Sequence, residues 1–248
     1  MFGFRPRPKP HAPPGQRVYA VGDIHGRLDL LDRLLKTLRD DNTAAAPCDH
    51  PPALVFLGDY IDRGLQSAAV IDRLLNEDWA PFQPRFLKGN HEAALLRFLE
   101  HPDTGPGWMA FGGAETLHAY GVAAPALPAD RATWEAAAAA LSAALPPEHL
   151  RFFKALEPCV RYGDYVFVHA GLRPGRALDS QTELDMLTIR DPFLNTRHAF
   201  PFTVVHGHTP VDAAEAKHGR IALDTGAYVT GRLSAVRLER EETSFLTT

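Results

Sequence analysis

The chain has 248 residues, of which 45% are hydrophobic and 23% charged, with a formal net charge of -4 and a pI near 6.3. That composition excludes a disordered chain and a membrane-embedded one, and it leaves no broad basic surface for a nucleic-acid backbone. The length suits one α/β domain carrying insertions.

Met1 to Gln16 is rich in proline and basic residues without an apolar core segment, so it reads as a flexible arm over residues 1–16 and not as a signal peptide. A single domain is expected over 17–248. Arg17 to Val21 is strand-like and stops at Gly22-Asp23-Ile24-His25-Gly26, after which Leu28, Leu31, Leu35 and Leu38 recur at helical spacing. A second apolar run, Leu54-Val55-Phe56-Leu57, ends in Gly58-Asp59-Tyr60-Ile61-Asp62-Arg63-Gly64 and is followed by a helical pattern over Ala68 to Leu75. Arg85 to Leu87 reads as a short strand before Gly89-Asn90-His91, with a helix over Glu92 to Leu99. Three strand, loop and helix units in succession predict a mostly parallel sheet with right-handed crossovers.

From His101 to Pro158 the pattern changes to Gly-Pro and Pro-Pro breaks and an alanine-rich helical run around Trp134 to Leu145, which predicts a helical insertion beside the strand ends. Strand-like runs return at Tyr165 to Val168, Thr203 to Val205, Ile221 to Leu223 and Leu233 to Leu238. Cys48 and Cys159 lie far apart without metal spacing, which fits a reduced, cytoplasmic protein; neither opens the anion-binding loop a cysteine-dependent phosphatase needs. No apolar run approaches the roughly 20 residues of a membrane span. No obligate partner is evident.

Five loops follow apolar runs and carry chemistry: Asp23 and His25; Asp59, Asp62 and Arg63; Asn90 and His91; His169; and His206 with His208. Parallel strands would bring them to one sheet edge, where open α/β sheets bind ligands. Carboxylate, imidazole and amide oxygen donors without thiolate suit a divalent metal such as manganese, iron or zinc. Two ions fit the donor count better than one, and a pair about 3.5–4 Å apart stabilises both oxygens of an in-line displacement. Phosphoester hydrolysis is the reaction this implies.

Those motifs, with His169-Ala170-Gly171 and Gly207-His208-Thr209-Pro210, resemble the successive signatures of the phosphoprotein phosphatase branch of the calcineurin-like metallophosphoesterases. The resemblance runs from about Tyr19 to Leu238. It includes features of bacterial members: Trp108, Gly112-Gly113, Thr116-Leu117, Tyr120-Gly121, Asp224-Thr225-Gly226 and Gly231-Arg232-Leu233. It implies a central β-sandwich flanked by helices, refining the plain α/β expectation. It also implies one metal held by Asp23, His25 and Asp59 and a second by Asp59, Asn90, His169 and His208, with Asp59 shared and manganese preferred. His206 is left as either a ligand or a donor that orients one.

By the same resemblance a hydroxide between the metals attacks phosphorus, His91 is the general acid, Asp62 orients it, and Arg63, Asn90 and Arg190 bind the phosphate. Thr188 stands where bacterial relatives often have tryptophan, near Arg190; Tyr228 is a further candidate to approach the phosphate. The implied activity is a serine/threonine protein phosphatase acting on phosphoproteins or small phosphoesters. The alternatives are a symmetrical diadenosine tetraphosphate hydrolase and a non-catalytic metal-bound binding module.

Overall fold

In the computed structural model, which describes residues 9–197 and 199–248, two five-stranded sheets pack face to face. The first is built from β1 (Val18–Val21), β2 (Ala53–Phe56), β3 (Gln83–Phe86), β9 (Ser234–Glu239) and β10 (Glu242–Thr247) in the order β10-β9-β1-β2-β3. The second contains β4 (Cys159–Tyr162), β5 (Tyr165–Val168), β6 (Thr203–His206), β7 (Glu215–Lys217) and β8 (Arg220–Ala222) in the order β4-β5-β6-β8-β7. Each sheet has three parallel strands, β1-β2-β3 in one and β5-β6-β8 in the other; antiparallel β9 and β10 extend the first on the β1 side, and antiparallel β4 and β7 flank the second.

The strands read as unbroken apolar runs because both faces are covered. Side chains alternate across a strand, so Val18, Ala20 and Val55 point between the sheets, where they meet Tyr165, Phe167, Val205 and Ile221. Tyr19, Val21, Leu54 and Phe56 point the other way, onto helices α1 (Leu28–Ala44) and α2 (Ser67–Asn76). Outside the second sheet, Val166, Val168 and Val204 pack on Met186, Ile189, Phe193 and Phe200.

Helix α3 (Asn90–Glu100) leads into the predicted insertion, which is helical among the described residues: α4 (Gly105–Met109), α5 (Gly113–Ala119), α6 (Arg131–Ala144) and α7 (Pro147–Ala155). The Asp130 side chain caps α6 by accepting from the Thr133 backbone N–H at 2.9 Å. Trp134, Phe152 and Phe153 join the cluster that covers the first sheet. His149 ties α7 to the rest of that layer, with Nδ1 at 2.9 Å from the Tyr120 hydroxyl and Nε2 at 2.9 Å from Asp72. Two short helices follow, α8 (Glu183–Thr188) and α9 (Ala227–Thr230).

Three strands have no counterpart in the sequence expectation: β4, β7 and β10. All lie at sheet edges and, apart from buried Val160, have exposed or half-exposed side chains, so no run of apolar residues marks them. Residues 9–16, read from composition as part of a flexible arm, instead lie along the sandwich. Ala12 is buried and donates its N–H to Arg240 O at 2.8 Å, and His11 O accepts from Asp164 N at 2.9 Å. The rest of the expected arm, residues 1–8, lies outside the described residues. No helix among the described residues is long and apolar enough to cross a membrane.

Candidate active site

Strands β1 and β2 stop at Gly22 and Gly58, and the chain then turns sharply to aim polar side chains at one edge. Seven non-glycine residues among those described have a left-handed backbone, and five belong to the predicted site: His25 (φ 48°), Asp59 (φ 51°), Asp62 (φ 70°), Arg63 (φ 67°) and His208 (φ 62°). Each costs on the order of 1–2 kcal/mol and persists only where its surroundings over-determine it. Glu92 supplies much of that constraint. Its buried carboxylate accepts backbone N–H groups of Asp59 (3.0 Å), Tyr60 (2.8 Å) and Gly89 (3.0 Å). Asp59 O in turn accepts from Ile24 N and His25 N at 3.1 and 2.9 Å, linking the first two loops. At Gly58 (φ 102°) a Cβ would lie 2.5 Å from Gly89 N, so only glycine allows the second and third loops to approach this closely.

Asp59 Oδ2 lies at the centre. It is 3.7 Å from His25 Nε2, 3.7 Å from His91 Nε2 and 3.4 Å from His169 Nε2. Asn90 Oδ1 is 2.9 Å from His169 Nε2 and 2.8 Å from His208 Nδ1. Two groups of donor atoms have metal-site compactness, His25 with Asp59 and His91, and Asp59 with His169 and His208; Asp59 belongs to both. Asp23 falls outside these two groups but borders them. Its Oδ2 accepts the His208 N–H at 3.0 Å, while Oδ1 is buried with no hydrogen-bond partner, above Gly207, where a Cβ would sit 2.0 Å from it.

The donor set fits divalent cations. His25 Nδ1 donates to Ile61 O at 2.8 Å and His169 Nδ1 to Leu57 O at 2.9 Å, which leaves each Nε2 as a lone pair facing Asp59. Lone pair then faces lone pair between His169 Nε2 and Asn90 Oδ1, an arrangement that positive charge relieves. Burial pushes His25 and His208 down to about 3, so both rings are neutral ligands at ordinary pH. Burial would raise Asp59, but positive charge on neighbouring imidazoles, His91 being the one that keeps its proton at neutral pH, holds the carboxyl well below its usual range. Asp23 is raised by burial and by the nearby charges of Asp224 and Asp59. Buried carboxylates crowded among neutral imidazoles form a cation site in charge as well as in shape.

His91 has a separate environment. Nδ1 lies 2.6 Å from Asp62 Oδ2, and both side chains are buried. Burial pulls the ring down, yet the Asp59 charge and the hydrogen bond to Asp62 prevail and raise it to about 9, so it holds its proton at neutral pH. The insertion completes this pair. Trp108 Nε1 donates to Asp62 Oδ2 at 2.8 Å and Thr116 Oγ1 to Asp62 Oδ1 at 2.6 Å.

Arg63 and Arg190 line the same cavity, about 110 Å³, with His25, Asp59, Asn90, His91, Phe111 and His208. The Arg63 guanidinium lies 4.5 Å over the Tyr228 ring, which also meets His25 edge-on at 5.5 Å. His206 belongs to neither donor group: Nδ1 donates to Gly207 O at 3.0 Å, and the ring packs edge-on against Phe193 at 5.1 Å. Sequence reasoning gave no role to Glu92, although a glutamate three residues after Gly89 at a helix start is a capping-box signal. It noted Trp108 and Thr116 only as motif residues, because nothing in their spacing points to Asp62.

A family model for calcineurin-like phosphoesterases matches residues 16–239. The chain belongs to the calcineurin-like phosphoesterase family. Within that family, serine/threonine-protein phosphatase 2 of Escherichia coli is 40% identical over 98 residues, 40% of this chain and 39% of that protein. The asymmetrical bis(5'-nucleosyl)-tetraphosphatase PrpE of Anoxybacillus flavithermus is 26% identical over 245 residues, 90% of this chain and 91% of that one. The crystal structure of a "putative diadenosine tetraphosphatase" shares the fold, with a TM-score of 0.63 at 22% identity, covering 96% of this chain and 98% of that one. This phosphoesterase chain therefore has the α/β sandwich that its motifs imply and relatives of two substrate classes.

Proposed function

We propose that the protein is a hydrolase of phosphomonoesters, acting first on phosphoserine and phosphothreonine of proteins in the cytoplasm. Asp23, His25 and Asp59 would hold one divalent cation and Asp59, Asn90, His169 and His208 a second, with manganese the first choice and iron or zinc the others. Such ions supply Lewis-acid charge for phosphate oxygens and lower the pKa of bound water. Arg63, Arg190 and Asn90 hold the non-bridging oxygens of the ester, the guanidinium planes offering paired donors. His91 Nε2 faces the same cavity and gives its proton to the departing oxygen, while Asp62 holds the ring by Nδ1.

The observation that carries this reading is the buried His91–Asp62 pair, Nδ1 lying 2.6 Å from Oδ2, on the wall of the cavity. A serine or threonine alkoxide is a strong base and leaves only with a proton, so a site that keeps an imidazolium against the ester suits that leaving group. A nucleotide phosphate leaves without one and would make the pair idle. The second reading, a dinucleoside tetraphosphatase, is favoured by relatives of that name that align over about nine-tenths of both chains. A non-catalytic binding module has the least support, since His25, Asp59, Asn90, His208 and the acid His91 line the cavity, His169 joins a donor group with Asp59, and Asp23 borders them.

The deciding assay loads the protein with manganese and compares phosphate release from a phosphoserine peptide with cleavage of diadenosine tetraphosphate. A higher kcat/KM on the peptide is expected. A higher value on the dinucleotide would transfer the conclusion to the second reading, and its products would separate symmetrical from asymmetrical cleavage.

A further inference from the structure

Seven large apolar side chains are exposed among the described residues, and three of them are close along the chain to Arg63 or to residues that touch it: Leu65, Phe111 and Val229, at 66%, 62% and 72% exposure. Arg63 N donates to Gly112 O at 3.1 Å, placing Phe111 one residue from that hydrogen bond. Leu65 is two residues beyond Arg63 in the same loop. The Arg63 guanidinium stacks on Tyr228, the neighbour of Val229. Phe111 also lines the phosphate cavity itself, beside His91, Asn90 and Arg190. Exposed apolar groups collected around a polar centre mark a recognition surface.

We infer that Phe111, with Leu65 and Val229, forms an apolar collar that selects phosphopeptides carrying an apolar residue next to the phosphorylated serine or threonine. This rests on the phosphatase reading above and names the substrate class for the same site. The occupant follows from continuity: Phe111 shares the cavity wall with the phosphate-binding groups, so what reaches it is the part of the substrate attached to the ester oxygen. Phe111 comes from the turn between α4 and α5, two helices whose other residues, Trp108 and Thr116, hold the partner of the acid. The collar therefore lies on the leaving-group side. In a protein substrate that group is the peptide chain, and a solvent-exposed aromatic gains by covering an apolar neighbour and loses by desolvating a charged one.

The test uses two phosphoserine peptides that differ only in the residue after phosphoserine, leucine or aspartate, with diadenosine tetraphosphate as a third substrate. The manganese-loaded full chain should prefer the leucine peptide in kcat/KM by roughly tenfold, the scale of a small apolar contact difference. Phe111→Asp should bring that ratio to one or below, and Phe111→Leu should keep most of it. Circular dichroism selects folded variants, and a folded Phe111→Asp that keeps the wild-type ratio overturns the collar. If the wild-type chain cleaves both peptides equally well, the collar is wrong and the phosphatase reading stands. If it cleaves neither peptide but does cleave the dinucleotide, both fail together, and a loss of dinucleotide cleavage in Phe111→Asp would assign the aromatic to a base instead.

Discussion

The loops after β1 and β2 and the insertion from α4 to α7 reach the same cavity by different physical means. The loops present His25, Asp59, Asp62 and Arg63 on left-handed backbone, held by Glu92 and by hydrogen bonds between loops. Each donor is fixed to a sheet edge whose position follows from strand pairing. The insertion presents Trp108, Phe111 and Thr116 from short helices and a turn, and none of the three belongs to a cation donor group. Two hold Asp62 and one lines the cavity. On the proposed reading, the loops hold the cation donors and the insertion steadies the partner of the acid, and substitutions should separate the two contributions.

Asp59→Asn tests the loop side and should have the largest effect. Asp59 is the one residue common to both donor groups, and losing its charge should lower kcat by about 10³-fold or more, the scale of losing a principal electrostatic stabiliser. Manganese content, measured by elemental analysis after gel filtration, should fall with it; a folded variant retaining two ions would remove Asp59 from its shared role.

His91→Ala comes next. A general acid contributes roughly 10²–10⁴-fold, so phosphoserine peptides should lose about that much while an activated aryl phosphate, whose phenolate leaves unaided, loses much less. Equal losses on both would deny His91 the acid role. The titration gives the sign independently. Because the folded value is raised to about 9, the protonated ring persists below it, and in the cation-free protein the His91 ring, followed by NMR, should lose its proton as pH rises through about 9. Asp62→Asn removes the charged hydrogen-bond partner and should move that proton loss toward the ordinary imidazole value of about 6.5.

How much of this was legible in the sequence follows from the same division. Strands β1, β2, β5 and β6 announced themselves because burial makes them apolar almost throughout, and the polar loops that follow marked their carboxyl ends. Strands β4, β7 and β10 did not, since edge strands need no apolar face. Asp23, His25, Asp59, Asn90, His169 and His208 were expected together because each follows a strand-like run, the family resemblance set them in order, and the fold carries those strand ends to one edge. His206 was left open because a strand-end histidine can face either side, and only the packing against Phe193 resolves its position. The contacts of Trp108 and Thr116 with Asp62 span 46 and 54 residues through helices whose mutual packing no local pattern encodes.

Glu92→Gln weakens the loop side without touching a donor. Its carboxylate gathers backbone N–H groups from two loops, and an amide NH₂ turned toward them would leave a buried donor unpaired. A loss of about 2–3 kcal/mol in folding stability is expected from denaturant unfolding of the cation-free protein. An unchanged midpoint would show that the left-handed loops are held by other contacts.

Trp108→Phe should give the smallest effect and the most informative one for the insertion. The substitution keeps an aromatic against Phe98, 5.1 Å away, and deletes only the Nε1–H that bonds Asp62 Oδ2. Asp62 retains Thr116 and His91, so the carboxylate stays in place but with one donor fewer and more freedom to shift. Residues that orient an active group through a hydrogen bond are commonly worth 10- to 100-fold, and with two partners remaining the lower end, about tenfold in kcat on phosphoserine peptides, is expected. Manganese content should not change, because Trp108 touches no cation donor. If cation content falls in parallel with kcat, the insertion supports the whole site and not the acid alone, and the division between the two regions does not hold.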